Sequence, residues 1–261
     1  MKFRVIPSLV LAVAAACAPA AAPSIPPEVT MAVASSTRPS ADVLADADRK
    51  PAELLAFAGI KPGDKVADLM PGTGYFTRLF RQLVGPGGHV YAVVPVPLAA
   101  SGAKRVDPIK ALIAERGIDN VSLLVQPYEE IGADAPLDVV WTSQNYHDVY
   151  GEVGPFAVPG IGGEAAAAKL DAAAFKALKP GGVYIVIDHA AKVGAGGTVA
   201  KSLHRIEAQT VIAQAKAAGF ILDGQSDVLA NPSDSHDTLI FAAEIRGHTD
   251  KFVLKFRKPA S

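Results

Sequence analysis

Lys65-Val66-Ala67-Asp68-Leu69-Met70-Pro71-Gly72-Thr73-Gly74-Tyr75-Phe76-Thr77-Arg78-Leu79-Phe80 reads as a strand, a tight turn and a helix. The run 66–69 is short and apolar, as a buried strand is, and Gly72 and Gly74 supply the turn where positive φ or close backbone approach is needed. Beyond it Phe76, Leu79, Phe80, Leu83 and Val84 recur at i, i+3, i+4, i+7 and i+8, the stripe of a helix lying on a sheet. Gly85-Pro86-Gly87-Gly88 stops that helix. Such a unit presents backbone N–H groups at the mouth of a crevice, where nucleotide-like ligands bind in open α/β sheets. Any tight strand-to-helix connection can use two glycines, so the pattern takes its meaning from the rest of the chain.

The alternation continues toward the C-terminus. Residues 89–94, 121–125, 137–141 and 183–187 are apolar runs suited to strands, and 108–116, 165–178 and 202–218 have helical character. Continuous apolar strands separated by helices predict a parallel sheet covered on both faces. The end of the chain departs from this rhythm. Residues 220–229 and 252–256 read as strands with only an irregular excursion between them, 231–248, which contains the apolar run 239–242. Without a crossover helix the last strand is expected to return antiparallel. The expected fold class is therefore α/β, a seven-stranded, mostly parallel sheet with the last strand antiparallel and helices on both faces.

The chain has 261 residues, half of them hydrophobic, enough for one domain with a large core. Lys+Arg 25 against Asp+Glu 26 gives a net charge of -1, so no basic field draws nucleic acid or a membrane surface, and a small-molecule substrate is expected. Lys2 and Arg4 followed by the apolar run 5–16 and the small residues 18–22 read as a cleaved signal peptide, 1–22, of a periplasmic or secreted protein. Cys17 is the single cysteine and lies within it, excluding disulfides and thiolate chemistry in the mature part; as a lipid-anchor site it is the minor reading. Residues 23–40, rich in Ala, Pro and Ser, are expected to form a flexible leader before a domain covering 41–261.

The opening motif, together with Leu178-Lys179-Pro180-Gly181-Gly182-Val183-Tyr184 leading into the fifth strand, resembles class I S-adenosylmethionine (SAM)-dependent methyltransferases. Asp188-His189, Leu203-His204-Arg205-Ile206-Glu207, Ala217-Ala218-Gly219-Phe220 and the tail from Phe252 to Pro259 resemble, more narrowly, a group of bacterial predicted methyltransferases with export signals. The resemblance spans about residues 41–259. It implies a Rossmann-like fold and SAM as cofactor, with Asp68 near the amino group, Gly72, Thr73 and Gly74 against the methionine part, and Pro71 and Tyr75 also in the cofactor-binding set. The family pattern has a glycine where Met70 stands. An acid about 20 positions past the glycines normally holds the ribose hydroxyls, and Val94 stands there instead, leaving Gln126, Tyr128, Glu129 or backbone groups for that task. Asn145, just past the fourth strand, joins the cofactor set.

In several O-methyltransferases of this class a His-Asp pair after the fourth strand supplies the base, and His147-Asp148 resembles it. Methyl transfer is an in-line displacement, so the protein mainly positions the nucleophile while a histidine near neutrality takes its proton. A loop histidine followed by a capping aspartate is the plainer reading of the same residues. Asp188 and His189, at the end of the adjacent fifth strand, complete the expected catalytic set. His204, Glu207, Asp234, His236 and Asp237 are expected near the same rim, where a metal is conceivable but hydrogen-bonded scaffolding is favoured, so no metal is assigned. Trp141, Tyr146 and Phe156 are candidate walls of an aromatic pocket, and 151–163, rich in Gly and Pro, has the length of a lid. Two functions stay open: methyl transfer from SAM to a small acceptor, or a non-catalytic ligand-binding or accessory role on the same fold, which the missing acid at Val94 and the scarcity of SAM outside the cytoplasm favour.

Overall fold

The computed structural model describes residues 24–115, 117–151 and 162–260; the expected signal segment with Cys17, and most of the expected lid with Phe156, lie outside the described residues. Seven strands form one sheet: β1 (Lys65–Leu69), β2 (His89–Pro95), β3 (Val121–Gln126), β4 (Leu137–Ser143), β5 (Leu178–His189), β6 (Ile221–Ser226) and β7 (Lys251–Arg257). Their order is β3-β2-β1-β4-β5-β7-β6, and β7 alone runs against its neighbours. The strand order reverses direction between β1 and β4, the switch point at whose carboxyl edge open α/β sheets open a crevice.

Side chains alternate across β1, so Val66 faces one core and Ala67 and Leu69 the other. Over the first face lie α1 (Pro27–Val33), α2 (Ser40–Arg49), α3 (Pro51–Ala58) and α4 (Tyr75–Val84). There Phe76 and Phe80 of α4 pack on Trp141 of β4 with ring centroids 4.8 and 5.2 Å away. Short α5 (Val96–Ala100) and α6 (Asp107–Ala114) connect β2 to β3. Over the second face lie α7 (Glu164–Ala177) and α9 (Ala208–Ala217), with α8 (Ala200–Leu203) before α9. Leu170 and Ala174 of α7 and Val211 and Ile212 of α9 are buried in that core. No helix among the described residues is long and apolar enough to cross a membrane.

Three expectations are corrected. The leader is not structureless: α1 lies within it and buries Val29 and Ala32. Arg38, also in that stretch, reaches Asp46 of α2 through two hydrogen bonds of 2.5 and 2.7 Å, and Asp46 accepts the Tyr75 hydroxyl of α4 at 2.6 Å. A segment that composition marks as linker is thereby tied to the first turn of the motif helix. The expected helix 202–218 is broken, because His204 takes the left-handed conformation (φ 54°) and Ile206 forms a bridge with Ala190. The fifth strand, expected over 183–187, starts earlier, at Leu178, so the Lys-Pro-Gly-Gly stretch ahead of it already belongs to β5.

Candidate functional site

A cavity of about 290 Å³ opens at the carboxyl ends of β1, β2, β4 and β5, near the lower end of the range for ligand pockets, about 300 Å³. The turn after β1 forms its floor with Met70, Pro71, Gly72 and Thr73; Asp68, Tyr75, Val94 and Asn145 also line it. Gly72 has φ 59° and open space where a side chain would stand, so backbone is bared to the cavity. Gly74 serves differently. It caps α4 with φ 84°, and a Cβ there would stand 3.0 Å from Ile109 and 3.2 Å from the Arg78 guanidinium.

Asp68 is buried and accepts the Thr77 hydroxyl at 2.6 Å. Burial pushes its pKa up to about 7, against the Thr77 hydroxyl and N–H that favour the anion. Asn145 works as a clamp: its Nδ2 donates to the carbonyls of Leu69 and Met70 at 3.0 and 3.2 Å, and its Oδ1 accepts the Thr142 hydroxyl. It thus joins the end of β4 to the turn after β1. Gln144, beside it, is left-handed at φ 60° and also lines the cavity.

The opposite rim gathers charge. His147 is buried, and its Nδ1–H donates to Asp188 Oδ1 at 2.7 Å while its backbone N–H donates to Asp188 Oδ2 at 2.7 Å. Its Nε2 lies 3.2 Å from His204 Nδ1 and 3.3 Å from Asp148 Oδ1, and His204 Nδ1 lies 3.5 Å from the same oxygen. Burial pulls the His147 pKa down, but Asp188 and Asp148 outweigh it and raise the value to about 10. Burial raises Asp148, yet its hydrogen bonds with His147 and His204 hold it below the usual carboxylate value. His189 is hydrogen-bonded to Thr249 Oγ1 at 2.6 Å; burial and the charges of His147, Lys251 and Arg205 push it well below an ordinary histidine. His147, Asp148, His189 and His204 all line the cavity across from Gly72.

Several expected site residues lie elsewhere. The Gln126 side chain is occupied by the adjoining loop, donating to Glu130 O at 2.5 Å and accepting from Gly132 N–H at 3.1 Å, and Glu129 lies exposed in that loop. Tyr128 is buried in the core under the second face. Asp188 does not reach the cavity, since both its oxygens are taken up by the backbone N–H groups of His147 and His189 and by the His147 ring. Trp141 and Tyr146 are core residues and not pocket walls; Tyr146 donates to Asp171 at 2.9 Å. Glu207 binds the Gly196 N–H, Asp234 pairs with Arg205, His236 with Asp250 and Asp237 with Lys192, all away from the rim. Among the residues missed from sequence are Gln144, Arg49, whose guanidinium lies 4.5 Å from the Tyr75 ring centroid, and Ile240 and Phe241. The apolar run 239–242 was the signal for the last two. It forms no strand; it caps the cavity, with Phe241 4.9 Å from the His204 ring.

No protein-family model matches the chain. A protein-L-isoaspartate O-methyltransferase of Ignicoccus hospitalis is 38% identical over 74 residues, 28% of this chain and 32% of that protein. The chain thus spans about a third of the length of that curated relative. Among solved structures, a SAM-dependent methyltransferase from Aquifex aeolicus superposes with a TM-score of 0.53 at 17% identity, over 80% of this chain and 88% of the other. The [4+2]-cyclase SpnF gives 0.58 at 16% identity, over 85% and 82%. The second likeness comes from a protein named for another reaction, so architecture does not by itself carry the chemistry. Sheet order, reversed β7 and these superpositions agree on the architecture: the chain carries the class I SAM-dependent methyltransferase fold.

Proposed function

We propose that this protein is a SAM-dependent methyltransferase acting on an oxygen nucleophile of a small molecule. The observation that carries the reading is one cavity with a bared glycine turn and a buried carboxyl on one side and a histidine–aspartate cluster on the other. The residues present fit the cofactor. Asp68, poised near pH 7, gives up its proton to become the partner of an ammonium group. Arg49, stacked on Tyr75, offers a cation to a carboxylate, and Gly72 lets a ligand approach the backbone. Val94 and Pro95 replace the usual acid with an apolar wall, so the nucleoside is held there by contact and not by a carboxylate. SAM, when bound, supplies an electrophilic methyl group.

The remaining work belongs to the rim. With two carboxylates beside it, His147 is charged at neutral pH and cannot itself take the acceptor's proton. Asp148 accepts it instead, and His147, held by Asp188, fixes the orientation of Asp148 and balances its charge. The anionic character of Asp148 favours a neutral hydroxyl over a carboxylate acceptor, which argues against reading the isoaspartate relative's substrate onto this chain. The test is transfer of label from methyl-labelled SAM to a panel of hydroxyl-bearing small molecules and to an isoaspartyl peptide. We expect label in a hydroxyl acceptor, slowed by about 10²-fold or more in Asp148→Asn with SAM affinity unchanged. Transfer to the peptide alone, or a rate indifferent to Asp148→Asn, overturns the assignment.

A further inference from the structure

We propose that His147 Nε2, His204 Nδ1 and Asp148 Oδ1 form a three-ligand site for a divalent first-row transition metal, with its remaining coordination open to the cavity. Three donor atoms of the right chemistry converge, and they do so at the right size. Their separations are 3.2, 3.3 and 3.5 Å. A tetrahedral ion with bonds of about 2.0–2.1 Å to imidazole nitrogen and carboxylate oxygen sets its ligands about 3.3 Å apart. The triangle already has the edges of such a face.

The surroundings match a metal centre as well. A ligating histidine commonly donates its other ring N–H to a carboxylate, which fixes the tautomer and turns the free lone pair on the metal. His147 does this through Nδ1 to Asp188 at 2.7 Å, and Asp188 is itself held by the backbone N–H groups of His147 and His189. The third ligand is brought in at a conformational cost. His204 sits left-handed at φ 54°, at the point where the chain leaves the helical path, and that break delivers its ring to the rim. Strain held at a site is a mark of function in such positions. Two imidazoles and one carboxylate suit Zn²⁺ best among common ions, with Fe²⁺, Co²⁺ and Ni²⁺ also accepted. Entry of the ion displaces the His147 Nε2 proton, so the charged His147 and the proton-accepting Asp148 described above belong to the metal-free protein. Its open position faces the cavity that Gly72 and Phe241 border, where a water or an acceptor oxygen can occupy it.

The metal site does not depend on SAM binding, and its test reads the metal directly. Tag-free protein, stripped with chelator and dialysed, is titrated with Zn²⁺ by calorimetry and with Co²⁺ by visible absorption, and its melting temperature is followed with each. We expect one equivalent bound, the intense absorption of low-coordinate Co²⁺, and a rise in melting temperature. His204→Asn removes the imidazole while keeping a residue that tolerates the left-handed conformation, and it should weaken binding by at least about tenfold. His248→Ala, an exposed histidine remote from the rim, should bind as the parent does. Absence of stoichiometric binding in a folded sample, or equal binding by His204→Asn and the parent, overturns the site and leaves the trio as hydrogen-bonded scaffolding. Either result is separable from the proposed methyl transfer, since SAM binding is measured independently on the same samples.

Discussion

Met70 holds φ at 53°, a conformation that glycine takes freely and other L-residues take at a cost of about 1–2 kcal/mol. The pattern that this stretch resembles has a glycine there, the residue type that reaches such a φ without strain. Met70→Gly should therefore stabilise the fold by about 0.5–1 kcal/mol, the relieved strain less the extra freedom of glycine in the unfolded chain, read from urea unfolding. A destabilised variant would mean that the Met70 side chain, which lines the cavity, holds the turn together by packing. The same turn explains why Gly72 was legible and Gln126 was not. A positive φ leaves a trace in residue type, whereas the partner of a polar side chain depends on the neighbouring loop, here Glu130 and Gly132.

The segment 231–250 has no regular structure, yet it supplies Ile240 and Phe241 to the cavity, and one buried cation secures it. Arg205, wholly buried, donates to Asp234 Oδ2 and Oδ1 at 2.8 and 3.1 Å, to Thr238 O at 3.0 Å and to Ala190 O at 3.0 Å. It ties the excursion to the end of β5 and lies next to His204 in the chain. Arg205→Leu leaves Asp234 buried without its counter-charge and should cost about 3–5 kcal/mol of unfolding free energy, measured by denaturant titration. A loss below about 1 kcal/mol would show that the segment is held by its apolar contacts instead. This pairing was beyond sequence reading, because Arg205 and Asp234 are distant in the chain and the pattern 202–218 reads as one helix. The strands were legible, since continuous apolar runs such as 183–187 have few alternatives in a covered sheet. His147-Asp148 and Asp188-His189 were legible for a related reason: they come directly after strands whose ends the topology brings together.

The molecule as a whole is tuned by buried titrating groups on both sides of the sheet. Asp68 and Asp171, raised to about 7 by burial, favour the fold while protonated; that stability is whole below about pH 4 and is lost as pH rises through 7. His147 is raised from 6.5 to about 10, so its contribution is complete below pH 6.5 and disappears as pH rises through 10. His189, pushed below its ordinary value by burial, removes stability in the opposite sense as pH falls below 6.5. Between pH 7 and 10 the His147 contribution declines, so the chelator-treated protein should melt at steadily lower temperature across that window. His147→Asn should flatten the dependence; an equally steep fall in that variant would place its cause elsewhere. Asp68, His147 and His189 line the hollow at the switch point between β1 and β4, and the central claim is that a SAM-like nucleoside lies there. Calorimetric titration with S-adenosylhomocysteine tests it most directly. Saturable binding at one site per chain is predicted, weakened about tenfold or more by Asp68→Asn through loss of the ammonium partner; a folded protein giving no saturable heat, or unchanged affinity in Asp68→Asn, contradicts it.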